Sequence, residues 1–283
     1  MFVFKAAVIG AGTMGIEIAQ AIATAGIPVL LKDVDDDYVE RGLDRARAIW
    51  QGRVDAGRLD PEAMAAQLAQ LSGTTDYSGF GDVDLVIEAV PERIELKREL
   101  FAELDAVTPG HSILASNTSA LSITEIGEVT IRPDKVVGLH FFYPASVARV
   151  VEVVEGEYTS PETAQAAASF VSAIRKTPVR CGELPGFIVN RILCTAMSEA
   201  SRFQVETGAA YTEIDSALRD SKAAPIGPFA LSDLLGLDTV LHVGNFLEEQ
   251  YGSQKFLVHP QLRELVAAGD LGSKTGKGFY EHS

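Results

Sequence analysis

The chain has 283 residues, more than the ~100–200 of an ordinary domain, which predicts one large or two modest domains. Its 47% apolar and 22% charged residues are the composition of a globular protein with a substantial core. Asp and Glu number 39 against 24 Lys and Arg, and the net charge of -15 argues against nucleic acid or an anionic membrane as partner.

The opening MFVFKAAVIG is too short for a membrane span and has no charged region before it, so no membrane association is expected. Within it KAAVIG predicts a strand, residues 14–25 a helix stopping at Gly26, and PVLLKDV a second strand. A long Arg-rich helical stretch is predicted from Tyr38 to Leu71. VDLVIEAV, SILASN, KVVGLHFF and VVEVVEG read as further strands, with ERIELKRELFAELDAV helical between the first two. Apolar strands alternating with helices predict an α/β fold with a doubly wound, mostly parallel sheet. Near CGELPGFIVN the pattern turns to helical periodicity and Gly/Pro turns. Residues 1–184 are therefore expected to form one domain and 185–283 an all-helical second one. Cys181 and Cys194 match no metal or redox spacing, so neither a metal site nor a disulfide framework is expected, and a cytoplasmic protein is the reading.

Between the first strand and its helix stands GAGTMG, in which Gly10, Gly12 and Gly15 fit G-x-G-x-x-G. Gly10 permits the tight turn, Gly12 lets the backbone approach a pyrophosphate, and Gly15 lets the helix pack close on the strand. The helix start, with Thr13 and Met14, offers N–H groups and a positive dipole end to phosphates. An acid is expected about 20 residues further on, and Asp33 is there. Its carboxylate would accept from a ribose diol and repel a 2′-phosphate, which favours NAD over NADP. Lys32 is its neighbour.

Ligands of a doubly wound sheet bind beyond the carboxyl ends of its strands. Strand 112–116 should deliver Ser116, Asn117, Thr118 and Ser119 to that cleft, with Asn117 toward the cofactor, and strand 136–141 should deliver His140. One of the four polar residues is also expected to cap the next helix. His140 alone would suit a core position. Glu152, an acid inside the apolar VVEVVEG, is costly to bury unpaired, and an imidazole is its obvious partner. A His held by a carboxylate and facing a nicotinamide can take a hydroxyl proton as hydride leaves.

GAGTMG with its acid, VIEAVPERIELK, ASNTSALSIT, GLHFFYP, VVEVV, PGFIVNR and GSKTGKGFY together resemble the 3-hydroxyacyl-CoA dehydrogenases, in particular the short bacterial 3-hydroxybutyryl-CoA type, from about Lys5 to Tyr280. The resemblance implies an NAD-binding Rossmann domain, a helical domain that forms a homodimer, and oxidation of the 3-hydroxyl of an acyl-CoA or the reverse. It implies His140 as general base, Glu152 as the group that orients it, Ser119 on the reacting oxygen, and Asn190 on the thioester carbonyl or elsewhere on the substrate. Glu92 and Lys97 match positions that contact the NAD ribose and nicotinamide end. Arg58 matches a basic position for the phosphates of CoA, within a run that also holds Arg41, Arg45, Arg47 and Arg53. Asp36, Asp37, Glu40, Asp44, Asp55 and Asp60 balance those arginines, which also suits a solvated helix pair.

The chain departs from the family pattern at three points: Tyr143 where Asn is usual, Ser146 where Pro is usual, and Ala224 before Pro225 where His is common. These bear on the acyl group, and Tyr143 beside His140 predicts a preference for short chains. Two other readings stay open: an NAD-dependent dehydrogenase of a free hydroxy acid or sugar acid, and a dinucleotide-binding protein without catalysis.

Overall fold

In a computed structural model that describes residues 2–252 and 254–282, the chain forms two compact units, Met1–Glu183 and Leu184–Ser283. The first contains β1 (Ala6–Ile9), α1 (Thr13–Thr24), β2 (Val29–Lys32), α2 (Asp36–Asp55), α3 (Pro61–Leu68), β3 (Leu71–Thr74), β4 (Leu85–Glu88) and α4 (Ile94–Val107). It continues with β5 (Ile113–Ser116), α5 (Ile123–Gly127), β6 (Val136–Phe141), β7 (Val150–Glu155), α6 (Pro161–Ala173) and β8 (Thr177–Gly182). The sheet order is β3-β2-β1-β4-β5-β6-β7-β8. All neighbours are parallel except β6 and β7, so β7 and β8 run against the rest. β1, β4, β5 and β6 are buried along their whole length, which is why they read as continuous apolar runs. The chain folds as a Rossmann-type doubly wound sheet followed by a helical unit.

The predicted helix from Tyr38 to Leu71 is three elements. Asp35 caps α2 by accepting from the Tyr38 N–H, and α2 ends before Gly57, whose φ of +66° cannot continue a helix. Pro61 then starts α3, and Leu71–Thr74 adds a strand at the sheet edge. LSGT is too short and too exposed to show alternation, so its sequence carries no strand signal. The far edge, β8, was equally silent: TPVRCG mixes a proline and an arginine, as an edge strand tolerates.

The second unit contains α7 (Val189–Thr207), α8 (Tyr211–Asp220), α9 (Pro228–Leu235), α10 (Leu237–Tyr251) and α11 (Pro260–Ala268). Its apolar residues form small separate clusters, such as Leu237 with Val258, Leu262 and Leu265, and Val243 with Leu247 and Phe256. Buried Asp233 accepts from the N–H groups of Phe279 and Tyr280 and from His282, which pins the GKGFY tail to α9. No helix among the described residues is long and apolar enough to cross a membrane.

Candidate active site

The glycine turn sits between β1 and α1 at the carboxyl edge of the sheet. Gly10 has φ +101°, and a Cβ there would lie 2.7 Å from the Ala89 carbonyl oxygen. At Gly15 a Cβ would fall 1.8 Å from the carbonyl oxygen of Gly10, while Gly12 meets nothing within 4 Å. Two glycines thus close the packing and the third leaves open space over the start of α1, whose first turn no side chain caps. That combination fits a pyrophosphate approached by Thr13, Met14 and Gly15 N–H groups.

Asp33 follows β2, and its carboxylate accepts from the N–H of Ala11 at 2.6 Å and of Val34 at 2.7 Å. It therefore fixes the glycine turn as well as facing the cleft. Beyond these strands lies a cleft of about 220 Å³, lined among others by Gly10, Lys32, Asp33, Val34 and Tyr77. Lys32 reaches over the Tyr77 ring at 4.7 Å, and the Tyr77 hydroxyl donates to Glu103 at 2.6 Å. Burial and that carboxylate push the Tyr77 phenol well above its ordinary range, so it stays a neutral donor.

Glu88 ends β4 and is fully buried; nothing in the sequence reading assigned it. One oxygen accepts from Lys97 at 2.5 Å and from the Val90 N–H at 2.7 Å, and the other from the Ser116 hydroxyl at 2.6 Å. Lys97, 1% exposed on α4, also lies 3.2 Å from Glu92. Glu92 in turn accepts from the Thr118 hydroxyl at 2.5 Å and the Ser119 N–H at 2.9 Å, with the Ser119 hydroxyl at 3.4 Å. Glu88, Glu92 and Lys97 thus form the floor on which the Ser116–Ser119 turn rests. The signal for Glu88 was present: an acid inside VDLVIEAV is the pattern that singled out Glu152.

The expected helix cap among Ser116–Ser119 needs correction. Ser122 caps α5, accepting from the Glu125 N–H, because the Thr118 hydroxyl is taken up by the Ala120 and Leu121 N–H groups in a tighter local turn. Asn117 accepts the Phe141 N–H at 2.9 Å and so ties the end of β5 to the end of β6.

His140 and Glu152 are directly opposite in the antiparallel β6–β7 pair. The Nδ1–H of His140 donates to a Glu152 oxygen at 2.7 Å, with the His140 side chain 7% exposed and that of Glu152 fully buried. The register alone makes this pair: side chains of opposed residues in an antiparallel ladder share one face. His140 lies near the end of β6, Ser119 just past the end of β5, and the glycine turn past β1, all on the carboxyl edge of the parallel strands.

The remaining predicted residues are Tyr143, Arg58 and Asn190. Tyr143 is on the turn between β6 and β7 and is 52% exposed. Arg58 is exposed beyond the end of α2. Of the other arginines in that run, Arg45 reaches Thr13 and Glu17, Arg47 pairs with Asp44, Arg41 donates to the Asp37 carbonyl, and Arg53 to the Ser146 carbonyl. Much of the basic run is thus spent on contacts within the first unit. Asn190 is in the first turn of α7, in the second unit.

Residues 5–184 match the family model described as "3-hydroxyacyl-CoA dehydrogenase, NAD binding domain", and 186–282 match "3-hydroxyacyl-CoA dehydrogenase, C-terminal domain". The chain is 41% identical over 279 residues to the 3-hydroxybutyryl-CoA dehydrogenase of Clostridioides difficile, covering 99% of each. It is 42% identical over 276 residues to the 3-hydroxyadipyl-CoA dehydrogenase of Escherichia coli, covering 97% of this chain and 58% of that protein. Among solved structures, the (S)-3-hydroxybutyryl-CoA dehydrogenase of Ralstonia eutropha matches with a TM-score of 0.93 and 38% identity, covering 99% of both chains.

Proposed function

The chain belongs to the 3-hydroxyacyl-CoA dehydrogenase family and is an NAD-dependent dehydrogenase, and we propose that it interconverts a short-chain (S)-3-hydroxyacyl-CoA and its 3-ketoacyl-CoA with His140 as general acid and base. The observation that carries the role of His140 is its 2.7 Å bond to buried Glu152, a pair that neither a binding protein nor a packed core requires. When bound, NAD accepts or returns the hydride at C3 of the substrate. Glycines 10, 12 and 15 would hold its pyrophosphate, Asp33 its adenosine ribose diol, and the Glu92–Lys97 cradle with Asn117 its nicotinamide end.

With Nδ1–H fixed on Glu152, Nε2 is the nitrogen that takes the 3-hydroxyl proton during oxidation. The negative Glu152 carboxylate stabilises the imidazolium so formed. Ser119, whose N–H is anchored on Glu92, is suited to donate its hydroxyl to the same substrate oxygen. In the reduction, the proton returns from Nε2 to the nascent alkoxide. Asn190 would hold the thioester end, and Arg58 with its exposed guanidinium would meet the phosphates of CoA. Tyr143, in place of a smaller Asn, takes space beside C4 and beyond, which favours short chains.

The reading includes a homodimer through the second unit, supported by the exposed apolar side chains of Ile192, Phe203, Val205 and Leu234. It also includes a cytoplasmic site of action, supported by two free cysteines. The deciding experiment follows NADH oxidation with acetoacetyl-CoA and with 3-ketoacyl-CoAs up to C10. Turnover with a maximum at C4, moved toward longer chains by Tyr143→Asn, is expected. Turnover only of a free keto acid, with none of any CoA thioester, would overturn the substrate assignment.

A further inference from the structure

Away from the His140–Glu152 pair, the first unit gathers a second cluster of charges around the turn between β6 and β7. Glu17 sits on α1 just past Gly15 and is only 4% exposed. One of its oxygens accepts from the Ser146 N–H at 3.2 Å and the Ser146 hydroxyl at 3.3 Å. Its other oxygen lies 3.5 Å from Arg45, and a second nitrogen of Arg45 donates to the Thr13 hydroxyl at 3.2 Å. Lys176 donates to the carbonyls of Ala145 and Ala148, both at 2.6 Å, and Arg53 donates to the Ser146 carbonyl at 3.4 Å. Burial, with the Arg53 charge adding to it, lowers the Lys176 ammonium below its usual range, while Glu17 opposes that shift.

A buried carboxylate is costly, and a turn can be stiffened more simply by a proline, which has no N–H. At 146 this chain instead carries a residue whose N–H and hydroxyl both point at Glu17. Glu17 belongs to the helix rooted in the glycine turn. A continuous run of contacts, Ser146 to Glu17 to Arg45 to Thr13, therefore joins the turn that carries Tyr143 to the turn that receives the phosphates, with no step longer than 3.5 Å. We infer that Glu17 is a positioning residue that couples the dinucleotide turn to the β6–β7 turn, so that bound NAD fixes where Tyr143 stands for the acyl substrate. The substrate half of this inference rests on the reading given above; the coupling half does not.

The test is hydrogen exchange of residues 142–149 with and without NADH, in the wild type, Glu17→Ala and Glu17→Gln, beside steady-state kinetics. NADH should slow exchange of the turn in the wild type. In Glu17→Ala it should no longer do so, although the variant still binds NADH. KM for acetoacetyl-CoA should rise about tenfold, as expected for a lost charge-assisted hydrogen bond, with kcat within about threefold. Glu17→Gln keeps an acceptor for Ser146 and should fold normally with a smaller effect. Adding Ser146→Pro to Glu17→Ala should restore KM by stiffening the turn covalently. The coupling is overturned if NADH leaves exchange of the wild-type turn unchanged or slows it equally in both Glu17 variants. A fall in thermal stability with KM unmoved would reduce Glu17 to a structural role and overturn the substrate half. A wild type inert toward every 3-ketoacyl-CoA would instead remove the substrate assignment, while exchange still decides whether Glu17 couples the turns.

Discussion

Glu152 meets His140 because β7 returns antiparallel to β6 in a register that sets the two opposite each other. One residue out of step, the acid would face the other side of the sheet and the imidazole would lose its carboxylate. The pair makes His140→Gln the decisive residue-scale change: kcat should fall about 10²–10⁴-fold, the usual worth of a general acid–base group, with NADH binding retained. Glu152→Gln should also slow turnover, by less, since Nε2 remains. Normal turnover by the His140 variant, measured as NADH oxidation, would remove the assigned mechanism. Asp33 supports a second expectation. Both its oxygens are engaged by backbone N–H groups, so the carboxylate is held in place, and on the proposed reading it would meet the 2′-phosphate of NADP. kcat/KM with NADH should exceed that with NADPH at least about tenfold, or ~1.4 kcal/mol. Equal efficiencies would mean that Lys32, drawn off Tyr77, compensates the charge.

At the scale of elements, the ends of β4 and β5 and the start of α4 are joined by the Glu88–Lys97 pair, 2.5 Å apart and closed to solvent. Removing Glu88 leaves buried Lys97 with Glu92, 3.2 Å away, as its remaining carboxylate, and Glu88→Ala should cost about 3 kcal/mol, measurable as a lower urea midpoint. Glu88→Leu together with Lys97→Met should recover much of that, because neither charge is then left buried. A double variant no more stable than Glu88→Ala would show that the cost lies in Ser116 and the Val90 N–H instead. What the sequence made legible follows the same physics. Central strands such as LVIE, ILAS and VVGLHF announce themselves because burial on both faces demands unbroken apolar runs. Edge strands β3 and β8 carry no such demand and were invisible. The acids inside apolar strands, Glu88 and Glu152, carry one signal, yet only Glu152 had an imidazole within sight in the sequence to give it a role. Glu17 was hidden for another reason. Its partner Ser146 is far away along the chain, and a single Glu in a helix after a glycine motif reads as a surface charge.

At the scale of the molecule, each unit carries one thiol: Cys181 on β8 in the first and Cys194 on α7 in the second. Burial, helped by the Glu152 and Glu155 charges, pushes Cys181 up to about 12, and burial pushes Cys194 up to about 11. The thiolate is the reactive form, so at pH 8 both should alkylate on the order of 10²–10³ times more slowly than an open cysteine. Labelling with iodoacetamide at rising urea, read by mass spectrometry, then reports the opening of each unit separately. The first unit includes a large apolar cluster running from Ala6 to Ile174, whereas the second shows small clusters among its described residues. Cys194 should therefore become reactive at lower urea than Cys181. If the second unit dimerises, raising the protein concentration should move the Cys194 midpoint upward by mass action and move the Cys181 midpoint less. Coincident midpoints at every concentration would show instead that the units unfold as one, and that the small clusters of the second draw their stability from the first.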